Sequence, residues 1–237
     1  LGWTFTAEFI SAMTRRGKMP VMLRAWACED GKPWWQHYGA KARVHDDLKV
    51  APIAPGELGR RYLDRARYGL RRLERTQLPL VEKVADQIAA ESRAGRKTVV
   101  AFNGHMGGNY VGKYEDAAWA VGHELHEGVD GQTRSFETDR PDGALVLRLG
   151  SFGLHESIDA LLQKKHARVM LVTSENPRPE WAVPPRYEPW LDIGLPFGDA
   201  CVWIEGYPIP VLPVSGVTQT ATYECINLEV QSRMKGN

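Results

Sequence analysis

No apolar run in this chain approaches the roughly 18 residues that a membrane-crossing helix needs, so no such span is expected. No basic-apolar-small leader opens it either. Cysteine is scarce: Cys28, Cys201 and Cys225 are odd in number, widely spaced and without a CxxC. That excludes a disulfide framework and argues against a cysteine-held metal, leaving reduced thiols in a cytoplasmic protein as the economical reading. Excess charge is lacking too, since 30 basic and 29 acidic residues leave +1, and no strong pull on nucleic acid or anionic membrane is expected. There is no dinucleotide GxGxxG and no GxxxxGK[ST]. His123-Glu-Leu-His126-Glu127 sets its second histidine one residue too early for the zinc pair of HExxH, and no metal site is expected.

What is present reads as an ordinary globular protein, with 43% hydrophobic and 25% charged residues over 237 positions. Residues 3–16 have helical spacing, with Phe5, Phe9, Ala12 and Met13 on one face and Gly17 as a stop. Thr6-Ala-Glu-Phe-Ile10 has a faint echo in Thr222-Tyr-Glu-Cys-Ile226, which suggests that the chain, beginning at Leu1, opens on the closing helix of a preceding, similar domain. Residues 18–56 are irregular by pattern. Residues 19–26 are a candidate strand, His37 and His45 are surface or packing residues, and the turn cluster at 52–56 is the linker candidate. Residues 1–55 are therefore read as an N-terminal segment and 56–237 as the main domain.

Two helices are expected next, over 57–77 and 79–94. The first crowds Arg60, Arg61, Arg67, Arg71 and Arg75 opposite its apolar stripe. That face invites a nucleic-acid reading, but a solvated helix face accords better with the net charge. Thr98-Val-Val-Ala-Phe102 is a short strand, apolar enough to be buried on both faces, and it runs into Asn103-Gly-His-Met-Gly-Gly-Asn109. Such a turn is either a ligand loop, where glycines let amide N–H groups approach an anion, or a tight strand-to-helix connection. Residues 112–128 are expected to be helical and 129–143 to be a polar loop. Strands at 144–149 and 168–173, a helix at 154–165, short strands near 191–193 and 201–204 and a last helix over 217–234 complete an alternating α/β pattern. That alternation implies a mostly parallel sheet covered on both sides.

Four features in order resemble a known family: a helical pair before the first strand, Phe102-Asn-Gly-His-Met106 after it, Gly150-Ser-Phe-Gly153 after the second strand, and Gly194-Leu-Pro-Phe-Gly-Asp-Ala200 followed by Ser215-Gly216. They are similar to the SIS (sugar isomerase) domain over residues 56–236, and closest to its uncharacterised phosphosugar-binding branch. The resemblance implies a flavodoxin-like three-layer sandwich with a mostly parallel five-stranded sheet. It further implies a phosphorylated sugar or amino sugar as ligand, no cofactor, and a homodimer or tandem-domain pairing. The phosphate loops map to Asn103, Gly104, His105, Met106 and Gly107, and to Gly150, Ser151, Phe152 and Gly153. This chain departs from the family in the second loop, where Ser151 is the only hydroxyl, and the metal-ligating histidine of the family's heptose-phosphate isomerases has no counterpart.

Aldose–ketose isomerisation needs a base that moves a proton between adjacent carbons. His105 is the candidate at the strand end, the alternative being a capping or turn histidine. Glu224 is the carboxylate that the resemblance implies as base; otherwise it is a first-turn glutamate favoured by the helix dipole. Ser174 and Glu175 end the third long strand within reach of a hydroxylated ligand. His155 and Glu156 open a helix and read as a solvated start, Asp199 as fixing its own turn, and Trp190 and Trp203 as core. A non-catalytic sensor or a structural subunit with a degenerate site is the alternative to an isomerase.

Overall fold

In the computed structural model, residues 2–26, 28–39, 43–103, 110–126, 129–175 and 183–235 are described. The chain divides into two compact units, one of Leu1–Gly69 with Pro196–Val214, the other of Leu70–Leu195 with Ser215–Asn237.

The second unit is built on five strands: β1 (Thr98–Phe102), β2 (Ala120–Glu124), β3 (Leu145–Leu149), β4 (Arg168–Thr173) and β5 (Trp190–Asp192). All neighbours pair parallel, in the order β2-β1-β3-β4-β5. Every residue of β1 and β3 is buried, as their unbroken apolar runs require when both faces are covered. On one face Val99, Ala101, Val146, Val169 and Leu171 pack with Phe136 of α5 (Asp130–Asp139) and with Ile158, Leu161 and Leu162 of α6 (Glu156–Lys164). The alternate residues Val100, Leu147, Met170 and Val172 are buried on the other face. There α4 (Leu78–Arg93) packs against α7 (Ser215–Lys235), burying Val84, Ile88, Tyr223 and Ile226. The unit is a flavodoxin-like three-layer sandwich.

Three expectations are corrected. Of the 112–128 stretch, the described residues 112–126 are not a helix but hold a 3₁₀ turn (Glu115–Ala118) followed by β2. Its apolar spacing mimics a helix, yet pairing with β1 decides, and Gly122 permits it: a Cβ there would sit 3.1 Å from the Val111 carbonyl oxygen and 3.4 Å from the Phe102 ring. Residues 129–143 are not all loop, since α5 takes Asp130–Asp139. Its single deep anchor is Phe136, too little for a stripe, but parallel strands β2 and β3 need a crossover between them. The two helices expected over 57–94 are one run, α3 (Glu57–Arg72), a π turn (Leu73–Gln77) and α4. A proline ring clashes with the carbonyl one helical turn back, and the wider π turn accommodates Pro79.

That π turn also seals the sheet edge. Arg72 Nη1 donates to the Asp192 carbonyl, Arg72 Nη2 to Asp192 Oδ2 (2.5 Å), and Asp192 N to Gln77 Oε1 (3.0 Å). The edge strand β5 is thereby covered rather than left as a template for further pairing.

At the other end of the strands, buried Glu91 of α4 takes Arg96 Nε (2.7 Å) and Nη2 (3.1 Å) and lies 2.7 Å from Arg168 Nη2. The Arg96 hydrogen bonds first, then Arg168, pull its pKa from 4.5 to about 2 against the opposing effect of burial. A carboxylate depressed by folding stabilises the native state above its unfolded pKa, and that contribution disappears as pH falls from about 4.5 toward 2. Both guanidinia are mostly solvated and therefore screened, so about 1 kcal/mol is at stake. Urea titrations of Glu91→Gln at neutral pH and near pH 3 should show the wild-type advantage shrinking across that interval; a constant difference would contradict this.

The first unit holds α1 (Gly2–Thr14), α2 (Gly31–Tyr38), α3 as far as Gly69, and an antiparallel pair, β6 (Ala200–Val202) and β7 (Val211–Pro213). Glu8 of α1 accepts the Gly56 N–H at both carboxylate oxygens (3.0 and 2.9 Å), and Thr14 Oγ1 accepts the Ile53 N–H (3.1 Å). The turn cluster at 52–56 is thus fastened to α1. Residues 19–26 form no strand, only a single bridge between Pro20 and Val44. Within the stretch that looked irregular lies α2. It forms because Trp34 packs near Tyr38, His45 and Tyr207 while its Nε1 donates to the Met22 carbonyl at 2.8 Å. Among the described residues, no helix is long and apolar enough to cross a membrane.

Candidate functional site

The strand order reverses between β1 and β3, because the chain leaves β1 for β2 on one side and returns to β3 on the other. Ligands in open α/β sheets bind outside the carboxyl ends of strands at such a switch point. Here those ends are Asn103 and Gly150.

Each group at this edge has a local cause. Asn103 N donates to the Leu149 carbonyl (3.2 Å) and Gly150 N to that of Val172 (2.9 Å), so the ladder runs one residue past the strands. The turn Gly150-Ser-Phe-Gly153 then folds onto β4. Gly153 N donates to the Ser174 carbonyl (2.8 Å), and Thr173 Oγ1 donates to the Gly153 carbonyl (3.2 Å). Gly153 has φ +49°, a left-handed conformation that costs glycine little. Phe152 is buried and wedges the turn. Above Gly150, Gly153 O (3.6 Å), Thr173 Oγ1 (3.6 Å) and Asn103 Oδ1 (3.7 Å) converge on the place a Cβ would take. The missing side chain leaves room for these three oxygens around one point.

From α7, fully buried Gln219 reaches the same turn and donates through Nε2 to Ser151 Oγ at 3.3 Å. Two side-chain oxygens at this edge, Asn103 Oδ1 and Gln219 Oε1, are buried with no hydrogen-bond partner among the described residues. A buried polar atom left unpaired costs about 1–3 kcal/mol, and native structures keep few of them. Both belong to carboxamides. Turning either amide exchanges acceptor for donor, so the pair can meet a hydroxyl in either of its roles.

The structure brings together Asn103, Gly150, Ser151, Phe152, Gly153 and Ser174. Ser174 is buried with its Oγ accepting from Leu195 N (2.7 Å), so it braces the strand end. Glu175 follows it, exposed. Gly104, His105, Met106 and Gly107 lie outside the described residues. Glu224 is placed differently. It lies on α7 with Asn227, whose Nδ2 donates to Glu224 Oε2 at 3.5 Å and whose Oδ1 accepts from Trp119 Nε1 at 3.0 Å. No hydrogen bond among the described residues joins Glu224 to Asn103, Ser151 or Ser174.

His155 is the N-cap of α6, its Nδ1 accepting from Ser157 N (3.3 Å). The Asp199 side chain reaches beyond its own turn, its Oδ1 accepting the Val214 N–H just past β7 (3.0 Å). His123 sits on β2 and His126 lies two residues past its end, neither of them on a helix. His123 is buried, with Nε2 3.2 Å from the Gln132 carbonyl oxygen and Nδ1 3.3 Å from Arg140 Nη2, and burial lowers its pKa. His126 lies 3.0 Å from Glu124 Oε1. Among the described residues no group of three His, Cys, Asp or Glu side chains could hold a metal ion.

Sequence reading missed Thr173 and Gln219. Thr173 had a usable signal, being a hydroxyl residue at the last position of a buried strand. Gln219 had none beyond its nearness to Ser215-Gly216. No protein-family model matches the chain, and no curated protein matches it.

Proposed function

We propose that the second unit binds a phosphorylated sugar or amino sugar at the carboxyl ends of β1, β3 and β4, in the manner of the SIS domains that the sequence resembles. The observation that carries the reading is the pair of buried carboxamide oxygens, Asn103 Oδ1 and Gln219 Oε1, without a hydrogen-bond partner among the described residues at the topological switch point. A polyol supplies the hydroxyls that such groups lack. Small-residue turns at strand ends are where amide N–H groups can meet an anion, although here those of Asn103, Gly150 and Gly153 are engaged by backbone carbonyls.

Binding without turnover is the better supported form of this reading. Ser151, the one hydroxyl of the 150–153 turn, is engaged by Gln219, and Glu224 is directed to Asn227 instead of that turn. An isomerase would need His105 as its acid/base group. The same reading carries a cytoplasmic location and a homodimer or tandem pairing.

Isothermal titration with glucose 6-phosphate, fructose 6-phosphate and glucosamine 6-phosphate tests it. Saturable binding of at least one is expected, weakened about tenfold by Gln219→Leu, the loss of roughly one buried hydrogen bond. No heat from any of the three at millimolar concentration would end the proposal. Proton NMR of the bound sugar then separates the two forms: interconversion of aldose and ketose would establish an isomerase, and an unchanged spectrum a binding module.

A further inference from the structure

Arg61, Asp64, Arg65 and Tyr68 follow one another at spacings of three, one and three along α3, which places them on one face of the helix. In the first unit that face lines a groove of about 410 Å3 whose opposite wall is Cys201, Val202 and Trp203. The size falls in the range of small-molecule sites, about 300–1,000 Å3.

Its groups divide into those already engaged and those left open. Arg61 is engaged, since Nη2 donates to the Trp203 carbonyl and Nη1 lies 3.7 Å from Glu57 Oε1, so it fixes the backbone that presents Trp203. Asp64 lies 3.4 Å from Arg67. Arg65 forms no hydrogen bond or ion pair among the described residues. The two rings are open as well. Trp203, which the sequence reading placed in the core, is 57% exposed, and Tyr68 is 62% exposed. The floor is apolar and neutral: Val202 is buried, and burial pushes the Cys201 thiol up to about 11.

A cation without a partner beside two uncovered aromatic rings suits a particular ligand chemistry. A guanidinium binds a phosphate through a planar fork of donors, and an exposed indole or phenol offers a flat ring a stacking surface. A bare anion would leave the rings unused, and a neutral ring would leave Arg65 unused. The lining itself carries Arg61 and Arg65 against Asp64. The groove has room for one nucleotide and not for a strand, and the whole-chain charge of +1 gives no reach along a polyanion.

We propose that this groove binds a mononucleotide-like ligand, a flat heterocycle carrying a phosphate, with Arg65 on the phosphate and Trp203 or Tyr68 on the ring. The site is independent of the sugar-phosphate reading.

The test is isothermal titration of the full chain with adenosine 5′-monophosphate, and separately with adenosine, inorganic phosphate and an oligoadenylate. A single saturable site for the monophosphate is expected, with adenosine and phosphate each at least tenfold weaker. Arg65→Ala and Trp203→Ala should each weaken it about tenfold, while Gln219→Leu leaves it unchanged. All three side chains can be truncated with circular dichroism confirming an intact fold, and Arg65 and Trp203 are exposed. Four results would overturn the proposal: no saturation at millimolar ligand, indifference to Arg65→Ala and Trp203→Ala, loss with Gln219→Leu, or affinity that climbs with oligonucleotide length.

Discussion

Replacing Asp116 with alanine is expected to cost about 4 kcal/mol of the second unit's stability. Asp116 is 3% exposed and accepts three hydrogen bonds, from Gly112 N (2.6 Å), from Tyr114 N (3.2 Å) and from the Tyr223 hydroxyl. Tyr223 lies wholly inside the layer between the sheet and α7, and burial first, then Asp116, raises its pKa far above that of a free phenol. Without the carboxylate that hydroxyl has no water to turn to, and the Gly112 amide is only partly solvated. Each stranded buried donor costs about 1–3 kcal/mol. The asymmetry between breaking a pair and deleting it supplies the sharper check. Tyr223→Phe added to Asp116→Ala should recover part of the loss, because the orphaned hydroxyl goes with it. Urea unfolding of the four proteins measures this cycle, and strictly additive losses would show that the contact is not what holds the 110–119 segment to α7.

His45→Ala should produce the second large loss, about 3 kcal/mol in the first unit. The His45 side chain has no exposed surface, and its ring bridges Asp47 Oδ1 on Nδ1 (3.2 Å) and the Tyr207 hydroxyl on Nε2 (3.1 Å). That hydroxyl also accepts the Met22 N–H at 3.0 Å, so the ring, the phenol and the backbone of Met22 form one chain of hydrogen bonds. Tyr38 packs edge-on at 4.5 Å and Tyr207 at 5.4 Å between ring centroids. Truncation leaves a ring-sized void among these aromatics and also removes two hydrogen bonds, and core truncations of this kind cost about 2–5 kcal/mol. Calorimetry should show a melting transition lowered by about 10 °C or more for a unit of this size. Tyr207→Phe keeps the volume and loses only the hydroxyl, so a smaller drop is expected. If it matched His45→Ala, the hydrogen bonds rather than the packing would dominate.

Legibility of the fold followed burial. The strands β1, β3 and β4 were readable because a strand covered on both faces is an unbroken apolar run, and Val99, Val146 and Val169 needed no partner to be recognised. The edge strand β2 is buried only at Ala120 and His123, and Ala-Val-Gly-His-Glu carries too little apolar content to declare itself. Helix α5 hangs on Phe136 and α2 on Trp34, single anchors that no periodicity can register. Site residues divided the same way. Asn103, Gly150–Gly153 and Ser174 were visible because they end strands, whereas Gln219 arrives from a helix after the chain has passed through the other unit.

An alternating α/β chain with a parallel sheet, and glycine turns at its strand ends, were legible without the fold, because strand burial and glycine turns are local properties of the chain. Tertiary packing was needed to set an edge strand within 112–128, to turn Glu224 to Asn227, and to bring Gln219 to Ser151 beside an Asn103 oxygen that has no partner among the described residues. The physical reason is that hydrogen bonds and packing between distant segments are not encoded in any window of residues. They appear when the sheet closes and each buried polar group must find a partner or go without one.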